Sequence, residues 1–99
     1  MNLRVELLSG ADADLQHIFN QLEGYREGFG VEFMTVVDAY LAHLATFPEM
    51  APIYLENIRR LVMQRFPYDI FYQALPSRIV VTAILDLRQD DATIIRQLS

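Results

Sequence analysis

The stretch Arg59–Gln73, RRLVMQRFPYDIFYQ, decides the fold. It reads as two short apolar strands with a break between them, NIRRLVMQ (57–64) and FPYDIFYQ (66–73). A third strand follows, RIVVTAILDLR (78–88), with LPS (75–77) as the turn before it. Connections this short make the three an antiparallel meander. By alternation Ile79, Val81, Ala83, Leu85 and Leu87 share one face of the third strand. The other face reads Arg78, Val80, Thr82, Ile84, Asp86 and Arg88, apolar in the middle and charged at its ends. Such a strand lies in the centre of a sheet and is covered on both sides.

Upstream of the meander the period changes. LRVELL (3–8) alternates and predicts a first strand. SGAD (9–12) follows, with Ser9 and Asp12 spaced as a capping box. Leu15, Ile18, Phe19 and Leu22 then recur at steps of three and four, which predicts a helix over residues 11–26 with Gly28 as its C′ residue. Phe29, Phe33, Val36, Val37, Tyr40, Leu41, Leu44 and Phe47 form one broad stripe, so a second helix begins at the GFG turn and ends before Pro48. Two helices joined so tightly pack as an antiparallel hairpin. PEMAPIYLE (48–56) reads as a loop, and DDATIIRQLS (90–99) as a short helix with Asp90 or Asp91 at its N-cap. The expected fold class is α+β: an N-terminal strand, an antiparallel helix hairpin, a three-stranded antiparallel meander packed on the helices, and a short C-terminal helix. The predicted core is Phe33, Val37, Tyr40, Leu44, Phe66, Ile70, Val81 and Leu85.

A chain of 99 residues fits one domain, spanning 1–99, and a hydrophobic content of 53% is enough to give it a core. Without cysteine there is no disulfide scaffold and no thiolate metal site. No apolar run approaches the length of a membrane span, and MNLRVELLSG is no signal peptide, so a cytoplasmic location is expected. Net charge is −5 and unevenly spread. Residues 1–52 hold Arg4 and Arg26 against eight acids, whereas residues 53–99 hold six arginines against five. The acidic total argues against direct nucleic-acid binding, which rests on phosphate neutralisation.

No catalytic, metal or cofactor signature is present: no Walker loop, GxSxG, HExxH or Rossmann glycine pattern. His17 and His43 read as surface or boundary residues of the helix hairpin. The arginines form the one constellation, and there is no lysine. On the first meander strand Arg60 shares a face with Ile58 and Val62, and Arg59 with Leu61 and Met63, so the two point to opposite sides. Arg65 opens the next strand and Arg88 closes the last. Rim positions, with stems on the sheet and heads in water, are the plainest reading of all four.

Longer stretches, ATFPEMAP, IRRLVMQRFPYDIFYQ and RIVVTAILDLRQD, carry a family resemblance. With FPE ending the second helix, the RRL…RFPY.I.Y hairpin, the last strand ending in arginine and the GFG.EF opening of the second helix, residues 22–91 resemble the ParE branch of the ParE/RelE toxin superfamily. The resemblance implies the toxin of a type II toxin–antitoxin module. RelE-type members are ribosome-dependent mRNA endonucleases with basic sheet residues and an acid/base tyrosine or histidine near the C-terminus; ParE-type members inhibit DNA gyrase. Arg59 or Arg60, Arg65 and Arg88 match the family's basic positions and become the expected partner- or target-binding residues. After Arg88 the chain reads QDDATIIRQLS, with no Tyr, His or Lys, which departs from the RelE pattern and favours ParE. The partner implied is a cognate antitoxin that folds onto the toxin as an amphipathic helix or an added strand. A non-toxic interaction module, or a homodimer, is the competing class.

Overall fold

The computed structural model describes residues 2–99. Its elements run β1 (Arg4–Leu7), α1 (Ser9–Tyr25), α2 (Phe29–Thr46), β2 (Ile53–Leu55), β3 (Ile58–Val62), β4 (Tyr68–Ala74), β5 (Arg78–Asp86) and α3 (Asp91–Leu98). The sheet has five strands in the order β1-β5-β4-β3-β2. β1 pairs with β5 in parallel, and every other neighbouring pair is antiparallel. The α+β class holds, but the meander has a fourth strand. β2 lies inside the segment expected to be loop. Three residues are too few to display alternation, Ile53 is exposed, and the pairing with β3 is irregular.

The helix hairpin is closed by side chains rather than by the predicted capping box. α1 begins at Ser9 directly behind Leu8, with no side-chain cap, because the Leu8 N–H is still donating to the Val81 carbonyl in line with β1. Between the helices Gly28 adopts φ 87°, the left-handed region that glycine enters without steric cost. It precedes α2 directly, while the Arg26 N–H closes α1 on the Leu22 carbonyl. The Glu23 carboxylate reaches across from α1 and accepts from the N–H groups of Gly28, Gly30 and Val31. It thus satisfies donors left over at the start of α2 and places negative charge at the favourable end of its dipole. At Gly30 the helices nearly touch: a Cβ there would lie 2.8 Å from both the Phe19 ring and its carbonyl oxygen.

Both sheet faces are covered. The hairpin packs on one, around Leu15, Ile18, Leu22, Phe33, Val37, Leu44, Phe66, Ile70, Tyr72, Ile79, Val81 and Ile84. α3 covers the other, setting Ile94 over Ile58, Phe71, Ala83 and Leu85. The single-face assignment of Ile79 to Leu87 fails here. Tyr72 pairs with Val81 but Phe71 pairs with Ala83, so Thr82 is an extra residue in β5. Such a bulge reverses the alternation. Ile79 and Val81 therefore face the hairpin, whereas Ala83 and Leu85 face α3. Among the other predicted core residues, Phe33, Val37, Leu44, Phe66 and Ile70 are buried and Tyr40 is half-buried. The Tyr40 hydroxyl accepts from the Gln64 N–H at 3.1 Å, so its polar end is used rather than hidden. α3 starts at Asp90, whose carboxylate accepts from the Thr93 N–H at 2.8 Å. Among the described residues no helix is long and apolar enough to cross a membrane.

Candidate functional site

β5 is nine residues long, but β1 accompanies it only from Arg78 to Val81. Beyond that point its outer edge has no strand beside it. On this edge the Ile84 N–H donates to the Asp14 carboxylate of α1 at 2.9 Å. Half-burial raises the Asp14 carboxyl above its ordinary value, and the Ile84 N–H offsets part of that rise. A cleft of about 1130 Å³ opens along this edge, between α1, the end of β5 and the turn that joins β3 to β4.

Three cations line it: Arg26, Arg65 and Arg88. Arg26 lies over the Phe29 ring at 4.6 Å and pairs with Glu32 at 2.9 Å. Phe29 packs against Phe66 with ring centroids 5.5 Å apart, and Arg65 lies over Phe66 at 5.7 Å. Arg65 forms no ion pair among the described residues. Arg88 is forked onto Asp86, its Nε 2.8 Å from Oδ1. This fork holds the Asp86 carboxyl below its usual range and raises the Arg88 guanidinium. The Arg26 hydrogen bond likewise lowers Glu32. The Tyr68 phenol is raised by burial and then by the Asp86 charge, so it is neutral at pH 7 and can donate a hydrogen bond. Tyr25 stands almost fully exposed at the mouth.

The structure brings together only two of the four arginines singled out in the sequence, Arg65 and Arg88. Arg59 and Arg60 do face opposite sides of the sheet, and both are engaged within the molecule. Arg59 donates to the Ala51 carbonyl at 2.7 Å and holds the loop after α2, which the Tyr72 hydroxyl also pins by donating to the Pro48 carbonyl at 2.9 Å. Arg60 lies beneath α3. Its Nε is 2.5 Å from Asp69 Oδ2, its Nη1 is 3.8 Å from Asp91, and its guanidinium stacks on Tyr54 and Phe71 at 5.0 and 5.3 Å. Asp69 is fully buried, and its second oxygen has no partner.

Arg26 lies outside the strand pattern that marks the other arginines, in the turn after α1. Its signal is local: a cation three positions before Phe29, at a turn that had to come near the hairpin strands. Asp14 gives no signal in the sequence, because an acid on a helix reads as one of a solvated face. His17 is exposed at the cleft wall, and His43 stacks on Phe47 at the other end of the hairpin, at 5.0 Å. Among the described residues no cluster of His, Cys, Asp and Glu could hold a metal ion. The cleft offers fork-shaped cations, tyrosine hydroxyls and aromatic walls, which suit carboxylate or phosphate recognition by contact.

No protein-family model matches the chain, and no curated protein matches its sequence. Among solved structures it is similar to a chain described as "Chromosomal ParDE TA system from P. aeruginosa", with a TM-score of 0.76 and 15% identity. That likeness covers 85% of this chain and 95% of the other. The helix hairpin laid on a β1-β5-β4-β3-β2 sheet is therefore a ParE-like fold.

Proposed function

We propose that this chain is the toxin of a type II toxin–antitoxin pair and a single-domain protein of the cytoplasm, acting by binding a protein target rather than by cleaving RNA. The observation that carries the reading is the ParE-like fold, in a chain that brings three arginines, Arg26, Arg65 and Arg88, to one cleft. The target of this branch is DNA gyrase. Arg65 and Arg88 are the residues proposed to contact the target or the antitoxin, with Arg59 and Arg60 holding the sheet in shape beneath them. An antitoxin that covers the cleft would silence the protein by occupation.

Against RNA cleavage stands the chemistry of the cleft. Tyr68 is neutral and raised, hence a poor base at pH 7, and the segment after Arg88 supplies no proton carrier. Induced expression tests the reading. Arrested growth, relieved by the product of the neighbouring gene, with gyrase supercoiling inhibited by the purified protein, is the expected result. Codon-phased mRNA cleavage on ribosomes would replace it with the RelE reading. Normal growth at high expression would leave an interaction module.

A further inference from the structure

The cleft gathers positive charge in an acidic chain. Its lining sets Arg26, Arg65 and Arg88 against Asp14 and Asp86, although the whole chain has a net charge of −5. Glu32 uses Nη2 of Arg26, and Asp86 uses Nε and Nη2 of Arg88. The Nη1 group of each arginine therefore keeps its donors, and Arg65 forms no ion pair among the described residues. Two further groups of the same lining lack partners. The Tyr25 ring is 84% exposed and, among the described residues, packs against no other ring. Gln89 Oε1 is buried yet accepts no hydrogen bond. The Gln89 N–H donates to the Asp86 carbonyl, which fixes this residue beside Arg88. A buried acceptor left unpaired is costly until a donor reaches it. A space of about 1130 Å³ thus holds places for an anion, a flat ring and an N–H or O–H donor.

We propose that the cleft binds a nucleoside monophosphate. Its phosphate meets Arg65 and the free Nη1 groups of Arg26 and Arg88, its base lies against Tyr25, and a ribose hydroxyl or base amine donates to Gln89. Arginine forks suit the phosphate, because two parallel N–H donors match two of its oxygens. Inorganic phosphate uses only the first of the three places, and a lone carboxylate side chain brings no ring to the second. The cleft has the size of pockets that take ligands of this class. The acidic total of the chain is no obstacle. A nucleic acid gains affinity by neutralising many phosphates along an extended basic surface, whereas one phosphate needs one local group of arginines. The proposal goes beyond the toxin reading, since it requires neither an antitoxin nor a target. A nucleotide in the cleft also takes Arg65 and Arg88 out of reach of a protein partner.

The test titrates the full chain calorimetrically with guanosine 5′-monophosphate, ribose 5-phosphate, inorganic phosphate and a single-stranded RNA dodecamer. The mononucleotide is expected to saturate one site and to bind at least about fivefold tighter than ribose 5-phosphate, the share that stacking of the base supplies. Inorganic phosphate should bind more weakly than either. Arg65→Ala should weaken the mononucleotide by about tenfold, through loss of a charge-assisted contact. Tyr25→Ala should weaken it by about fivefold and leave ribose 5-phosphate in place. Gln89→Leu should cost about threefold, the worth of one neutral hydrogen bond. Arg4→Ala, an exposed arginine of β1 outside the cleft, should change affinity by less than about twofold. Thermal melts check that each variant folds, and Arg65→Gln replaces Arg65→Ala if that one does not. The proposal is overturned if no saturation is reached, or if ribose 5-phosphate binds as tightly as the mononucleotide. It is equally overturned if Arg4→Ala weakens binding as much as the Arg65 variant, or if the dodecamer binds more than about tenfold tighter, which would make the cleft part of a polymer site.

Discussion

Replacing Arg60, in the middle of β3, by methionine should cost several kcal/mol, far more than the loss of an exposed arginine. Asp69 is fully buried; one of its oxygens has no partner, and the other is held by Arg60 Nε. Removing the guanidinium leaves an uncompensated charge under α3, at a cost of about 3–5 kcal/mol. Loss of the stacking on Tyr54 and Phe71 adds about 0.5–1 kcal/mol. A domain of this size has a total stability of roughly 5–15 kcal/mol, so the variant loses a large share of it. Its melting temperature should fall by at least about 12 °C, at about 4–8 °C per kcal/mol. The companion is Arg60→Met with Asp69→Leu. It removes both charges, fills the space with apolar atoms, and should recover to within about 1 kcal/mol of the parent or exceed it. Urea unfolding of the parent, the single variant and the double variant measures all three. A loss below about 1 kcal/mol in Arg60→Met would place the pair with exposed salt bridges and refute the reasoning. So would a double variant less stable than the single one.

Gly30→Ala should destabilise by about 1–3 kcal/mol, since its Cβ meets the Phe19 backbone, whereas Gly24→Ala, in open space within α1, should stabilise by about 0.5–1 kcal/mol; thermal melts separate the two. In an NMR titration Asp86 should protonate below the ordinary aspartate value of 3.8, and Arg88→Ala should move its midpoint upward. The sign follows from linkage: a lowered folded value stabilises above the unfolded value, and that contribution is lost as pH falls through the folded one, so the parent's advantage over Arg88→Ala should vanish in acid. Asp14, raised by burial, has the opposite sign: its contribution declines as pH rises from below 3.8 through the folded value. Asp14→Asn, which keeps an acceptor for Ile84, should therefore be at least as stable as the parent at pH 7, and urea unfolding at pH 7 and pH 3 checks this.

Signals that act within a few residues were legible in the sequence. Pro48 and the GFG turn bound α2 almost to the residue, and Asp90 capped α3 as its position suggested. What lay beyond reach was set by distant partners. The bulge at Thr82 is created by register against β4, so the alternation that reads continuously from Ile79 to Leu87 reverses halfway along. β2 exists because β3 offers it an edge; its three residues have no pattern of their own. The candidate site divides in the same way. Alternation placed Arg59 and Arg60 on opposite faces. Only the fold shows that a loop closes over one and α3 over the other, leaving Arg65 and Arg88 in the cleft with Arg26.

The pairing of β1 with β5 also orders events in time. β1 is made well before its partner, since its register sets Arg4 against Arg78 in β5. Until β5 emerges from the ribosome the helix hairpin has most of its sheet floor missing, and β1 has no partner in the chain. Contacts spanning this much sequence form late and slow folding. The nascent chain therefore exposes its apolar hairpin until β5 has been made, and the cleft, built on the end of β5, comes into being only then. For a protein whose proposed activity harms its own cell, that delay gives a partner translated alongside it time to be present before the binding surface is complete.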